Sequence, residues 1–545
     1  MNIGYLINII SVNNVWYKKV VITMKLAILS PTMTPIVSYG GLGDVMKDLP
    51  KFLKNFNNEV LVLTLNHYNR YYNYPYEVIK KINIVYKGAK ISFDVLKTKH
   101  PTTGVDIIVF SNEKINNLDI WDPIKYEIFA DLVVIYLGDI KDVDVVSGHD
   151  WMCGLAIAKC SDVLDLPTTL TIHNEAFKGA IVEYKGEVMT FLEFGIKYAD
   201  AVNTVSPTHA EEIKNCPYIK KYINNKPFVG ILNGIDIDEY DPIKIIDRMV
   251  TLSNNKLNPK DYAYISPYTA EDAKNIKPKI KYSWFYRGGI YEYVEDWNKI
   301  GDKGISATDV EVYGELKGDI ETPLIGFVGR ATYQKGFNTM FEAIPELLEK
   351  HDIRFVFLTK GEKEIEDRLK NLAKEYDDKI LALIGYCLPL SSLVFAGSDW
   401  TVMPSYWEPC GLVQMESMAY CTPVIATETG GLKDTIIPLH YNPYEHANFD
   451  KATGVLFKVP DKIGFIWGVE HALNWTFYKL NEICMFMQYV RYKCPKHPYD
   501  ENSPLSMMMK NCYYHVLRNL SWQNSPSIRK YKGLFGGALY NHYLK

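Results

Sequence analysis

VMPSYWEPCGLVQMESMAYCTPVIATETGGL, residues Val402 to Leu432, reads as a strand, a polar turn, a helix, a second strand and another helix start. The apolar run ending at Met403 is the first strand, Gly411 to Tyr420 the helix, and Pro423 to Thr427 the second strand. Strand, helix and strand in so short a span is the repeating unit of a parallel sheet covered by helices. Glu408, in the turn, and Glu416, in the helix, lie eight positions apart. A carboxylate beside a helix start can accept hydrogen bonds from sugar hydroxyls while the unpaired amides attract an anion such as a diphosphate. On spacing alone a second reading stands beside this one, in which Glu408 complements the helix dipole and Glu416 is a solvated helix residue.

Working outward, the same alternation recurs on both sides. Upstream come LIGFVGR with a helix from about Gly336, FVFLTK with a helix over Ile365 to Glu375, and ILALIG. The N-terminal half repeats the pattern from KLAILS (Lys25 to Ser30) through VLVLTL, VDVVSG and TTLTIH to ADAVNTVSP, where Ser206 caps a helix and Pro207 occupies its first position. Between Tyr76 and Ser111 the strand-like runs suggest a hairpin insertion. The expected layout is an extension at 1–23, an N-terminal Rossmann-like domain at 24–240, a loop-rich linker with an insertion at 241–321, a C-terminal Rossmann-like domain at 322–505, and a C-terminal helical segment at 506–545. Met24 directly precedes the first strong strand, so translation is expected to begin there.

Composition narrows the function. A chain of 545 residues exceeds one ordinary core, and a net charge of -4 without a basic block disfavours nucleic acid as a partner. The nine cysteines are scattered and never spaced Cys-x-x-Cys, which points to a reducing, cytoplasmic setting and no structural zinc. No apolar run is long enough to suggest a membrane span.

The chemistry-bearing residues fall where strands hand over to helices, the ligand-binding edge of open α/β sheets. Gly40, Gly41 and Gly43 let backbone approach a phosphate or sugar, or simply make a tight turn. His149, Asp150 and Trp151 end one strand, and His173 and Asn174 end the next; each group serves a sugar or caps a helix. Arg330 and Lys335 flank a turn that opens a helix, a poor place for cations unless an anion is bound, and together they can clamp a diphosphate. Thr429, Gly430 and Gly431 offer one more set of helix-start amides. The pairs Asp236/Asp238 and Asp142/Asp144 could hold a metal, but turn and strand-edge roles account for them, and no metal is expected.

Taken together, GGLGDV (Gly40 to Val45), HDW, IHN, TVSPTHAEEI, ILNGID, GRATYQKG (Gly329 to Gly336), EPCGLVQMES and TGGLKDT resemble, in order, the blocks of the starch and glycogen synthases, retaining glycosyltransferases of the GT-B architecture. The resemblance implies two Rossmann-like doubly wound domains facing a deep cleft. It implies transfer of glucose, with retention and without a cofactor or metal, from ADP-glucose or UDP-glucose to the non-reducing end of an α-1,4-glucan. By motif matching, Arg330 and Lys335 would neutralise the departing diphosphate. Glu408 would sit at the donor glucose among the amides of Cys410, Gly411 and Leu412, Glu416 would bind the ribose, His149 would lie by the reacting sugar, and Asn233 would line the cleft. Ser38 stands where the family usually has a lysine two residues before the glycine pair, so one positive charge is missing from the N-terminal side. The alternatives are another retaining GT-B transferase, a glucan phosphorylase, for which no pyridoxal-phosphate lysine motif is evident, and a weakly catalytic regulator that binds glucan or nucleotide sugar.

Overall fold

A computed structural model describes residues 23–38, 40–253, 265–300, 307–440, 448–480 and 494–544. The extension at 1–23 therefore falls almost wholly outside the described residues, as does Cys484.

Two sheets organise the molecule. The first contains β1 (Lys25–Leu29), β2 (Glu59–Leu65), β3 (Tyr76–Tyr86), β4 (Ala89–Lys99), β5 (Asp106–Ser111), β6 (Val145–His149) and β7 (Thr168–Ile172). After a separate hairpin, β8 (Ile181–Tyr184) and β9 (Glu187–Thr190), it is completed by β10 (Ala201–Thr204) and β11 (Phe228–Gly230), in the order β11-β10-β7-β6-β1-β2-β5-β4-β3. Pairing is parallel from β11 to β5, and the β3–β4 hairpin adds antiparallel to that edge, as the alternation between Tyr76 and Ser111 predicts. Strands β6 and β7 are buried at every position because helices cover both faces of the sheet.

The second sheet holds β12 (Glu311–Tyr313), β13 (Leu324–Ala331), β14 (Arg354–Gly361), β15 (Ile380–Ile384), β16 (Trp400–Met403), β17 (Val424–Thr427) and β18 (Gly454–Phe457), ordered β12-β15-β14-β13-β16-β17-β18. All but the antiparallel edge strand β12 pair in parallel. The strand order reverses at β1 in one sheet and at β13 in the other, which is where a doubly wound sheet opens a crevice.

Residues 241–321, expected as a loop-rich linker, are different where they are described. Helices Ile245–Leu252, Ala273–Lys281 and Gly289–Lys299 and strand β12 join the second unit, and Trp284, Tyr293 and Trp297 are buried in its core. Polar composition hid this because two of the lysines are internal. Lys277 donates to the carbonyls of Phe395 and Ala396 at 2.9 Å and Tyr420 at 3.1 Å, and Lys281 to Asp399 at 2.8 Å. The last segment is also divided. Helix Pro504–His515 packs on the second unit, whereas Ser527–Leu544 crosses back to the first and buries Tyr531, Leu534 and Phe535 there. The two chain crossings lie side by side: Ile235 N–H donates to Leu520 O at 3.2 Å and Trp522 N–H to Ile235 O at 3.0 Å.

Candidate active site

The carboxyl ends of the strands in both sheets open onto one cleft of about 960 Å³. On its C-terminal wall, β13 delivers Arg330 to the exposed strand end, and the short turn Tyr333–Lys335 then leads through Gly336 into helix Phe337–Lys350. Gly336 has φ 75°, and a Cβ there would lie 2.0 Å from the Pro404 carbonyl oxygen, so only glycine lets the turn close against β16. That closure brings Lys335 Nζ to 2.5 Å from Glu408 Oε2, which also accepts from Ser405 Oγ at 3.2 Å. Cys410, Gly411 and Leu412 continue the wall from Glu408 to helix Val413–Ala419, which carries Glu416. Tyr240 OH donates to Glu416 Oε1 at 3.0 Å. Burial, and after it the facing Asp44 carboxyl, push the pKa of Glu416 up to about 7.

The N-terminal wall is built from Gly40 and Gly41 at the start of helix Gly41–Asn55, Asp44 in its first turn, and the β6 and β7 ends. Asp150 and His173 both line the cleft. Burial pushes Asp150 up to about 7 against the backbone N–H bonds that favour its ionised form, and its Oδ1 has no partner among the described residues. Burial also holds His173 down to about 3, so the ring is neutral. Asn233, buried, reaches the floor of the cleft.

Two expectations need correction. His149 is fully buried and is not on the cleft wall; its Nδ1 lies 3.0 Å from His173 Nε2, so it stands behind the histidine that does face the cleft. Thr429, Gly430 and Gly431 are likewise not on the wall, and their amides are already used: Gly430 N–H donates to Glu212 Oε1 at 3.0 Å and Gly431 N–H to Glu408 O at 2.9 Å. A side chain from the N-terminal unit thus takes the place expected for a ligand. Ser38, where the family's lysine is missing, brings no positive charge but is hydrogen-bonded on both sides. Its Oγ accepts from Thr34 Oγ1 at 2.9 Å, and its side chain hydrogen-bonds the Tyr386 hydroxyl across the cleft.

The acidic pairs have structural partners. Asp142 pairs with Lys25 Nζ at 2.7 Å, and Asp144 accepts from the Lys25 N–H at 2.7 Å. Asp236 caps helix Ile237–Tyr240 and pairs with Lys51. With Asp48 and Glu239 it forms the one group among the described residues whose carboxylates are close enough to share an ion. That group is not part of the cleft wall, and Lys47 Nζ lies 2.5 Å from Glu239 and 3.4 Å from Asp48. The sequence reading missed Asp44, Tyr386, Trp121 and Phe177, all on the wall. Tyr386 follows the β15 run directly and was findable by the same strand-end rule; the aromatic pair lies in loops whose direction no periodicity encodes.

The model of the starch synthase catalytic domain matches residues 25–222, and that of glycosyl transferases group 1 matches residues 315–482. A probable glycogen synthase of Methanocaldococcus jannaschii is 85% identical over 522 residues, covering 96% of this chain and 100% of the relative. The glycogen synthase of Petrotoga mobilis is 29% identical, covering 92% and 93%. Among solved structures, the catalytic domain of starch synthase IV from Arabidopsis thaliana, bound to ADP and acarbose, superposes with a TM-score of 0.72 at 20% identity, covering 95% of this chain and 100% of that one. With both halves of the cleft matched in order and a relative this similar along its whole length, the chain belongs to the glycogen and starch synthase family and is a GT-B glycosyltransferase.

Proposed function

We propose that this cleft transfers glucose, with retention, from ADP-glucose or UDP-glucose to the non-reducing end of an α-1,4-glucan, using side chains and no metal or cofactor. One observation carries the reading: Arg330, Lys335 and Glu408 converge on the C-terminal wall, with Lys335 and Glu408 2.5 Å apart, opposite a glycine turn that starts a helix. The Lys335 ammonium is balanced by Glu408. A diphosphate between Arg330 and Lys335 supplies a second anion, and the two cations then stabilise the charge that grows on it as the sugar bond breaks.

Glu408 accepts hydrogen bonds from donor-glucose hydroxyls, beside the amides of Cys410, Gly411 and Leu412, and Glu416, oriented by Tyr240, does the same for the ribose. Tyr386, at the β15 end, fits the nucleoside base. Asp150 and His173 face the reacting sugar from the other wall, where the unpartnered Asp150 Oδ1 can accept from a hydroxyl. Closure of the two walls on the bound substrates excludes water, which limits hydrolysis of the donor. No described helix is long and apolar enough to cross a membrane, which accords with the cytoplasmic setting we propose.

The test is transfer of radiolabelled glucose from ADP-glucose and from UDP-glucose to a malto-oligosaccharide with a chelator present. Transfer from at least one donor is expected; loss of all transfer on chelation would remove the metal-free reading. Lys335→Ala and Arg330→Ala should each lower kcat by on the order of 10²-fold with the fold intact. Unchanged turnover in both would overturn the diphosphate clamp.

A further inference from the structure

Arg248 belongs to the stretch whose composition reads as a linker, yet it lies one side chain behind the cleft wall. It is carried by helix Ile245–Leu252, and its side chain is only 11% exposed. The guanidinium is fixed from two elements. Its Nη1 donates to the Glu239 carbonyl at 3.2 Å and lies 3.6 Å from the Glu239 carboxylate, while its Nε donates to Ser392 Oγ at 3.3 Å. Held in this way, its Cζ lies 4.1 Å from the centre of the buried Tyr240 ring, a cation–π contact shielded from water. The Tyr240 hydroxyl in turn donates to Glu416 Oε1 at 3.0 Å. Glu416 is on the cleft wall, and Arg248 and Tyr240 are not.

Glu239 also ties this group to the first unit. Lys47 Nζ, on helix Gly41–Asn55, lies 2.5 Å from Glu239 Oε2, so one carboxylate just past the chain crossing is shared by a cation from each unit. The titratable and charged groups that act on Glu416 are Asp44 and Lys47 from the first unit, and Tyr240, Arg248, Tyr386 and Tyr420. Burial and then the Asp44 carboxyl favour the protonated acid, and Arg248 opposes them more than the Tyr240 hydrogen bond or Lys47 does. The distinction matters because an ionised carboxylate is acceptor-only, with both oxygens open to hydroxyl donors. A lysine would not replace Arg248, since an ammonium has neither a planar face for Tyr240 nor a fork that reaches Glu239 and Ser392 together.

We propose that Arg248 is the positioning residue of the nucleotide half of the cleft: stacked on Tyr240 and anchored by Glu239 and Ser392, it fixes the Tyr240–Glu416 pair on which the donor ribose docks. This rests on the reading of the cleft as a nucleotide-sugar site. It gives the 241–321 stretch a part in donor recognition and none in acceptor binding.

The experiment titrates ADP and UDP into the intact protein by calorimetry at pH 8 and measures KM for the nucleotide sugar and for maltoheptaose. Arg248→Ala should weaken nucleoside diphosphate binding and raise donor KM about 10-fold with acceptor KM unchanged, and Arg248→Lys should recover only part of the loss. Tyr240→Phe, which keeps the ring and loses only the hydroxyl, should weaken the same binding, so the test stands even where Arg248→Ala fails to fold. In a Glu416→Gln background, Arg248→Ala should add less than about 2-fold, because both changes act on one contact. Wild-type kcat/KM for the nucleotide sugar should fall as pH drops through about 7, where Glu416 takes up its proton. Removing the cation that favours the ionised form should move that fall about 1 pH unit higher. Nucleoside diphosphate binding as tight in Arg248→Lys and Tyr240→Phe as in wild type, or a full 10-fold loss from Arg248→Ala persisting in the Glu416→Gln background, would overturn the positioning role. Wild-type protein that binds neither ADP nor UDP would instead overturn the nucleotide-sugar reading on which it rests.

Discussion

Asp150 is held at φ 66°, a conformation non-glycine residues rarely keep, and its carboxyl is buried. Strain and desolvation at one residue mark a group kept for chemistry rather than stability. Because burial raises its pKa to about 7, the folded state binds the proton more tightly than the unfolded chain does. Its contribution to stability therefore falls as pH rises from the ordinary carboxylate range through about 7. Asp150→Asn should raise the melting temperature of the ligand-free protein at pH 8, by a margin that shrinks towards pH 5, while lowering turnover. A gain largest at pH 5 in thermal unfolding would contradict the burial argument. At this scale the sequence is informative about which residues reach the sheet edge and silent about which way they turn. Arg330, Lys335 and Glu408 follow directly from where the apolar runs of β13 and β16 stop. His149 and His173 end adjacent strands in the same way, yet one is covered and the other faces the cleft, because side-chain direction at a strand end depends on packing from the next element.

Helix Pro207–Ile213 is a joint between the two units. Its capping residue Ser206 accepts from His209 N–H at 3.2 Å, as the Ser-Pro start predicts, and also donates to Pro409 O at 2.6 Å, beside Glu408. Thr208 donates through N–H and Oγ1 to Asp434 at 2.8 and 2.7 Å, and Glu212 accepts from Gly430 N–H. Two carboxylates on opposite units thus each meet the start of a helix on the other, a reciprocal clasp at the base of the cleft. Hydrogen bonds to charged groups are worth about 1.5–3 kcal/mol each, enough to bias the hinge. The double variant Glu212→Ala/Asp434→Ala should enlarge the radius of gyration of the ligand-free protein in small-angle scattering and raise donor KM several-fold. Scattering identical to wild type would show that the clasp does not hold the units together. The sequence makes the helix and its cap legible but not its partner, because a contact between residues 208 and 434 leaves no local pattern. The same limit explains the helices within 241–321. Lys277 and Lys281 count as solvated in any composition, and only the carbonyls and the carboxylate waiting for them in the second unit make burial favourable.

At the scale of the whole molecule, the doubly wound sheets are legible because each strand is an apolar run and each strand end a polar turn. The return of the chain is not. Helix Ser527–Leu544 follows all the strands of the second unit, yet it covers one face of the first, with Tyr531, Phe535 and Ala538 at most 1% exposed. Its far end is tied there too: His542 Nδ1 lies 3.3 Å from buried Asp200, and Asn541 Nδ2 donates to Asp200 O at 3.3 Å. Each large apolar side chain it buries contributes roughly 1.5–3 kcal/mol, a large share of the net stability of about 5–15 kcal/mol typical of one domain. The N-terminal unit is therefore incomplete until helix Ser527–Leu544 docks on it, and its stability depends on a segment that follows two chain crossings between the units. Removing Ser527–Leu544 should leave β13 to β17 protected in hydrogen exchange while β6, β7 and β10, which lie beneath the helix, lose protection. It should also abolish transfer, since Asp150 and His173 stand at the ends of those strands. Equal protection in both sheets after truncation would mean that the helix is an ornament on a self-sufficient first unit. Uniform loss in both would mean that the two units unfold as one.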